Sequence, residues 1–398
     1  MKKRKLTILF FAATTYLPFS AHAQSSVTLY GLIDTGVTYV SNARTNPSSN
    51  VRGGSMWAET TGNINTSRWG VRGTEDLGNG LSAIFRLESG LNSANGQLRN
   101  GGDIFGRQAW LGLDMHQYGK VTLGRQYDFV VDYLAPLSAT GSGFAANLAE
   151  HPYDNDNLNN DLRLNNSVKF ASRPFDGVSV GAAYGFSNQP GGFANNRAYS
   201  VGARYSTGAL NFAVAYFQLD RTADHREANA TGAVSTDDGD QITTGGTQRI
   251  LGAGAQYVFD KSSVGFVYTH SVTDDVTGIL QGGSTSIGAL SGKSISFDNF
   301  EINGRYFLRP DFSLGASYVY TMGSFVSLDN ETTSPRWNQL MVQADYRFSK
   351  RTDVYAEGVY QHVSGGQGNP AFNAGIFNLS PATGNHQFAL ALGIRHLF

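Results

Sequence analysis

Residues Tyr127 to Asn166 read YDFVVDYLAPLSATGSGFAANLAEHPYDNDNLNNDLRLNN. They interrupt the pattern that governs the chain on both sides. The flanking runs alternate apolar and polar residues with the period of two that marks a strand with two different faces. Here the alternation stops for roughly forty residues, and an irregular segment of that length in a compact domain is either functional or disordered. Its composition argues against disorder. Leu134, Leu137, Phe144 and Leu148 give it apolar surface to bury, and they are mixed with a carboxylate series: Asp132, Glu150, Asp154, Asp156 and Asp161. The segment therefore reads as a loop that folds inward and narrows a water-filled β-barrel. The rest of the chain reads as the barrel around it.

Strand periodicity recurs from one end of the chain to the other. In Ser26 to Tyr39, Val27, Leu29, Ile33, Val37 and Tyr39 fall on one face, with Thr28, Tyr30, Asp34 and Thr38 on the other. In Gln387 to Phe398, Phe388, Leu390, Leu392, Ile394 and Phe398 oppose Gln387, Ala389, Ala391, Gly393 and Arg395. The same alternation marks Leu210 to Tyr216, Phe312 to Tyr320 and Leu340 to Phe348. Short turns such as Asp76-Leu-Gly-Asn-Gly80 and Arg309-Pro-Asp311 carry tight-hairpin chemistry. Longer polar connections alternate with them, at Ser41 to Asn65, Asn92 to Asp103, Thr222 to Thr247, Thr273 to Ser294, Ser324 to Pro335 and Ser364 to Thr383. Short turns at one end and long loops at the other are the asymmetry of a transmembrane barrel. Aromatics near strand ends, among them Tyr39, Tyr257, Phe348 and Tyr360, suit girdles at the two membrane interfaces. The expected class is all-β: a transmembrane antiparallel β-barrel of about sixteen strands with a long inward-folded constriction loop. A soluble β-sandwich would alternate alike strand by strand. The recurrence of strands of about ten residues and the terminal aromatic favour the barrel.

The N-terminus fixes the route. Lys2-Lys-Arg-Lys5 is a basic region, Leu6 to Phe19 is mostly apolar, and Ala21-His22-Ala23 is an A-x-A cleavage signal. Residues 1–23 thus read as a signal peptide, and 24–398 as one outer-membrane barrel without linker or second domain. The apolar run is short for a helical span of a bilayer about 30 Å thick. The chain has 30 basic and 31 acidic residues, and cleavage removes four basic ones, leaving a formal charge of −5. No basic cluster survives cleavage, which speaks against nucleic acid. With no cysteine there is neither a disulfide framework nor thiolate chemistry. No metal site or cofactor is expected: Asp154-Asn-Asp156 begins like a calcium loop but continues with Leu158 and Asn159. The eight histidines are scattered, and there is no G-x-S-x-G elbow, H-E-x-x-H or Walker motif, so no catalytic residue is assigned.

Several stretches in combination carry a family resemblance. They are SSVTLYGLIDTGVTY from Ser25, SRWGVRGTEDLG from Ser67, FGRQAWLGL from Phe105, GKVTLGRQ from Gly119, and the ending Gly393-Ile-Arg-His-Leu-Phe398. Together they resemble the general porins of Gram-negative betaproteobacteria, from end to end of the mature chain. The resemblance implies a homotrimer of sixteen-stranded barrels in the cell outer membrane, set among lipid and lipopolysaccharide. It also implies that the third long loop enters each lumen and that the terminal Phe398 is read by the outer-membrane assembly machinery. This sequence lacks a Pro-Glu-Phe-Gly segment in the inward loop, so loop residues do not carry over one by one.

Strand parity places the lumen charges without the family. If Trp69 and Val71 face lipid, Arg68 and Arg72 face the lumen. If Ala83, Phe85 and Leu87 face out, Ser82, Arg86 and Glu88 face in. Parity is ambiguous around Trp110, and Arg107 is placed in the pore by resemblance. Arg125 lies in register with the apolar Leu123, and only the resemblance puts it in the lumen. An arginine in mid-bilayer costs about 2–4 kcal/mol, so neighbouring strand arginines face water. Arg68, Arg86, Arg107 and Arg125 are expected to form a basic wall. Glu88, Asp132, Glu150, Asp154 and Asp156 are the expected acidic side of the constriction. Opposed charge rows orient dipolar solutes and set ion preference. The expected function is passive diffusion of ions and small hydrophilic solutes with weak anion preference. A solute-specific channel using Tyr127, Tyr133 and Phe144, or a barrel adhesin or enzyme, are the alternatives.

Overall fold

The computed structural model describes residues 25–45, 53–141, 146–221, 232–235, 243–281 and 285–398. The expected signal peptide (1–23) and Phe144 lie outside the described residues. The strands follow in chain order as β1 (Ser26–Arg44), β2 (in two pieces, Gly53–Thr61 and Arg68–Gly78), β3 (Leu81–Gly90), β4 (Gln108–Met115) and β5 (Gly119–Gln126). After the long interruption come β6 (Leu164–Ser172), β7 (Val178–Gly185), β8 (Arg197–Ser206), β9 (Leu210–Asp220) and β10 (Gln248–Phe259). The circuit is completed by β11 (Ser262–Asp274), β12 (Gly292–Arg309), β13 (Phe312–Ser327), β14 (Arg336–Arg347), β15 (Thr352–Ser364) and β16 (His386–Leu397). Each pairs antiparallel with the next. The first and last strands then join, from Leu32↔Leu397 to Val40↔Ala389. The result is a closed 16-strand barrel.

Closure follows from the solvent. A sheet edge in hydrocarbon leaves backbone groups unpaired at several kcal/mol each, and only a closed barrel removes the edge. The alternation predicted from sequence is what closure sorts. Leu392 and Ile394 are exposed on the outer wall, while Gln387, Ala389, Ala391 and Arg395 between and around them are buried. On β9, Leu210, Phe212 and Val214 point out, whereas Ala213, Ala215 and Phe217 point in.

Two expectations need correction. The connection expected at Ser41 to Asn65 contains a strand, because Gly53–Thr61 pairs with the upper half of β1. Between the two pieces of β2, residues 62–67 leave the sheet and enter the lumen, where Asn63 and Ile64 are buried. The backbone N–H groups of Ile64 and Asn65 donate to the buried Asp34 carboxylate at 2.9 and 2.7 Å, which fixes the excursion. The loop expected wholly at the surface between Thr222 and Thr247 also sends Ala233 and Val234 into the interior against β6 and β8.

The core of the molecule lies in the lumen. Residues of the inward loop pack against inward side chains of the wall in three apolar clusters. One holds Phe129, Leu134 and Leu158 with Phe217 and Val267. Another holds Leu148 with Ile64, Met341 and Val359. The third holds Tyr153 with Phe297, Trp337 and Phe372. Glycines make room for this: a Cβ on Gly181 would lie 2.1 Å from the Phe129 ring, and one on Gly252 would lie 2.3 Å from Leu134.

The face assignment is testable. Leu392, mid-strand on the outer wall, should tolerate Ile but not Arg. Leu392→Arg is expected to lower the folding free energy in lipid vesicles by about 2–4 kcal/mol, measured by urea titration. Equal stabilities would mean that this face does not meet hydrocarbon.

Candidate functional site

The inward loop begins where β5 ends. Asp128, fully buried, accepts hydrogen bonds from the backbone N–H of Val130 (2.6 Å) and of Val131 (3.3 Å), and from Asn157 Nδ2 (2.6 Å). It thereby starts the short helix Val130–Leu134 and ties the outgoing and returning arms of the loop together. Burial pushes its carboxyl up to about 6. The outgoing arm then crosses the lumen. Leu148 N donates to Asn63 O at 3.1 Å and Asn147 Nδ2 to Gly62 O at 2.9 Å, so the loop meets the excursion from β2. Gln339 of β14 donates to the Glu150 carbonyl at 2.8 Å, and the Tyr153 hydroxyl donates to the Ala371 carbonyl at 2.7 Å.

The strongest anchor is ionic. His151 sits between two carboxylates, with Nδ1 2.6 Å from Asp156 and Nε2 2.8 Å from Glu301 on the inner face of β12. All three are essentially buried. Glu301 also accepts from the Ala139 backbone N–H and from Asn303 Nδ2, each at 2.6 Å. Asp156 accepts from Thr269 and Asn299 of the wall. Burial alone would lower the His151 pKa, but the Asp156 and Glu301 carboxylates hold it up to about 10. The imidazole is therefore a cation at neutral pH, with both N–H groups donating.

The basic wall lies on the opposite side, on β1 to β5. Cross-strand register puts Arg72 opposite Arg86, Gly70 opposite Glu88 and Arg86 opposite Trp110, so these positions share the lumen face. Arg107 Nε donates to Glu88 at 2.8 Å, and the Tyr30 hydroxyl donates to the other Glu88 oxygen at 2.8 Å. Arginines and aromatic rings alternate along this wall. Arg72 and Arg86 flank Tyr30 at 5.3 and 5.8 Å. Arg107 and Arg163 flank Tyr127 at 6.0 and 5.6 Å. Trp110 receives Arg86 and Lys120 at 5.8 and 5.9 Å. Such stacking holds flat guanidinium groups against the wall while their charge remains.

Arg68, Arg86 and Arg107 lie together on this wall, with Trp110 facing the lumen beside Arg86, while Glu88, expected on the acidic side, is held within the basic wall by Arg107 and Tyr30. Arg125 does not join the row. It pairs opposite Ala109 next to a bulge at Gly124, and its guanidinium donates to Gly106 O (2.7 Å) and Asn165 Oδ1 (2.6 Å). On the loop, Glu150 and Asp154 converge with Asp161, their carboxylate oxygens all within 4.8 Å of one another. Asp161, whose charge is felt by Arg99, Arg107 and Arg163, is the point where the acidic cluster meets the basic wall. Burial and the Asp161 charge push the Glu150 and Asp154 carboxyls up. An oxygen-only set of this kind also suits a hard cation. Two expected acids belong elsewhere: Asp156 is spent on His151 and the far wall, and Asp132 pairs with Lys169 at the loop root. Tyr30 and Arg72 were within reach of parity. Arg99, Arg163 and Lys120 carry no sequence signal that sets them apart from other surface cations.

The anchor generates a prediction. His151→Ala leaves two buried carboxylates facing each other, and removing one partner of a buried pair costs about 3–5 kcal/mol. Limited proteolysis should then cut the loop, where the unaltered protein resists. A raised histidine pKa stabilises the fold fully below the ordinary value of 6.5, and that contribution is lost as pH rises through about 10. Near-ultraviolet circular dichroism from Trp337, packed 5.8 Å from the Tyr153 ring, should report loosening on approach to pH 10 in the unaltered protein. The same alkaline step should be absent from His151→Ala.

Comparison with known proteins agrees with this architecture. The family model for Gram-negative porins matches residues 9–366. An outer membrane porin protein of Bordetella pertussis is 32% identical, the alignment covering 99% of this chain and 100% of that protein. Outer membrane porin protein 32 of Delftia acidovorans is 26% identical, with both chains covered in full. The fold is also that of an anion-selective porin from Comamonas acidovorans, with a TM-score of 0.66 at 22% identity over 94% of this chain and 100% of that one. A closed barrel with an apolar outer wall, a charged lumen and relatives matched along their whole length leads to one conclusion: this chain belongs to the Gram-negative porins and is an outer-membrane channel protein.

Proposed function

We propose that the protein is a trimeric diffusion pore for ions and small hydrophilic solutes, weakly selective for anions, with its eyelet between the β1–β5 arginines and the inward loop. The observation that carries this reading is an arginine row on one wall met by the carboxylate cluster of the inward loop. Arg68, Arg86 and Arg107 line one wall, and Glu150, Asp154 and Asp161 lie together on the loop. A unit charge about 5 Å from an ion in water is worth about 0.8 kcal/mol, roughly fourfold in local concentration before screening. Outer-loop acids act over a Debye length of about 8–10 Å and contribute less at the eyelet. The porin of Comamonas acidovorans with this fold is described as anion-selective, which agrees with the reading.

Residues 1–23 are proposed to direct export and to be removed. Phe398, whose backbone exchanges hydrogen bonds with Gly31 at 3.0 and 3.1 Å, is proposed as the residue read during assembly into lipid and lipopolysaccharide. No catalytic residue is assigned. The outer faces of β1 and β2 expose Val27, Leu29, Val37 and Trp57, apolar surface suited to subunit contact in a trimer.

Refolded protein in planar bilayers tests the function. Stepwise openings in threes are expected, with a reversal potential of the anion-selective sign across a KCl gradient. The double variant Arg68→Gln, Arg86→Gln should lower the anion-to-cation permeability ratio several-fold. A cation-selective sign in the unaltered protein would hand the eyelet to the loop carboxylates, and no openings at all would remove the channel reading. The connection Asn92 to Asp103 is proposed to latch onto a neighbouring subunit. Its deletion should convert heat-resistant trimers to monomers on gels, and unchanged trimers would exclude the latch.

A further inference from the structure

Beneath the inward loop, on the short-turn side of the barrel, the inner wall of β7 to β10 holds a cavity of about 520 Å³. Its roof is the root of the loop, with Tyr133, Pro136 and Leu137, and its wall includes Ser179, Arg204 and Asn211. Arg204 pairs opposite the inward Ser179. It lies two residues from Gly202, where a Cβ would meet Phe129 and Tyr133, so it belongs to the lumen face. Its guanidinium lies over the Tyr133 ring at 5.1 Å, and the ring is held in place because the Tyr133 hydroxyl donates to the Val180 carbonyl at 3.3 Å.

Arg204 lines the cavity with its charge unspent. Several other inward cations are spent on carboxylates: Arg107 on Glu88, Lys169 on Asp132, Arg305 on Asp345 and Arg395 on Asp353. Among the described residues no carboxylate pairs with Arg204, which is exposed to the cavity side of the wall. A guanidinium with free donors takes a carboxylate through two parallel hydrogen bonds. The Tyr133 ring, Pro136 and Leu137 beside it offer an apolar surface that a strongly hydrated inorganic anion cannot use. Ser179 and Asn211 supply further hydrogen-bonding groups. The volume falls within the ordinary range for small-molecule sites, about 300–1,000 Å³.

We infer that this cavity is a binding site for small organic carboxylates bearing an apolar or aromatic tail, held by Arg204 and Tyr133 on the periplasmic side of the eyelet. The inference rests on the channel reading and names a solute class that the pore would retain. Because the cavity opens to the mouth, binding is weak and exchange fast, as conduction requires.

Sodium benzoate added to the short-turn side of single channels in chloride tests it. A saturable fall in current with half-effect in the millimolar range is expected, corresponding to a dissociation constant of about 1 mM. Acetate at equal concentration should act more weakly. Arg204→Gln should raise the benzoate concentration for half-effect tenfold or more while stepwise openings persist, and Arg204→Lys should retain part of the effect. Asn211→Leu, which keeps size and leaves the charge, should weaken the effect several-fold. Benzoate block that is absent from open channels, or unchanged in Arg204→Gln, would overturn the site alone. Absence of openings in the unaltered protein would overturn the channel reading and the site with it.

Discussion

The arrangement of the lumen depends on one buried ionic contact, the His151 imidazolium held between Asp156 and Glu301. A loop that crosses a water-filled barrel meets competition from water for every hydrogen bond, so polar contacts alone would hold it loosely. Placing a cation between two anions, with all three side chains buried, removes that competition. Breaking the contact strands two carboxylates in a site that water does not reach, which costs far more than an exposed pair yields. The loop is therefore part of the wall. The carboxylates of Glu150, Asp154 and Asp161 are thereby held together at fixed positions on the loop.

The hydrocarbon outside imposes the complementary constraint. It requires a closed sheet and an apolar outer face, and period-two geometry then sends every second residue inward. Charge follows without further instruction, since an inward arginine keeps its water and an outward one does not. The aromatic rings between the arginines, Tyr30, Trp110 and Tyr127, keep like charges apart and flat against the wall. Glu88 is absorbed into this wall by Arg107 and Tyr30, so it lowers the repulsion within the row and offers no anionic counterface.

The legibility of the chain in sequence divides along these physical lines. Where one rule governs, as on β3 or β16, parity alone placed Arg86, Glu88 and Gln387 correctly. Where register is broken, parity fails. The bulge at Gly124 detaches Arg125 from the arginine row, and residues 62–67 leave β2 because Asp34 captures their amides. On the inward loop no periodicity exists, so its acids could be named but not sorted. Asp156 and Asp132 are committed to local cations, whereas Asp161 is the acid whose charge acts on Arg99, Arg107 and Arg163. His151 looked like one scattered histidine among eight. Its role depends on Glu301, 150 residues away, and nothing short of the fold brings the two together.

The central claim is that the inward loop is a fixed wall of the pore. Because the chain has no cysteine, a single introduced pair can test it. Asn63 and Leu148 meet where the loop touches the β2 excursion, with Leu148 N 3.1 Å from Asn63 O. In the variant Asn63→Cys, Leu148→Cys, the fixed-wall account predicts that oxidation forms the disulfide readily and leaves single-channel conductance unchanged. Failure of the disulfide to form in folded protein, or a change in conductance when it closes, would show that the loop stands elsewhere or swings.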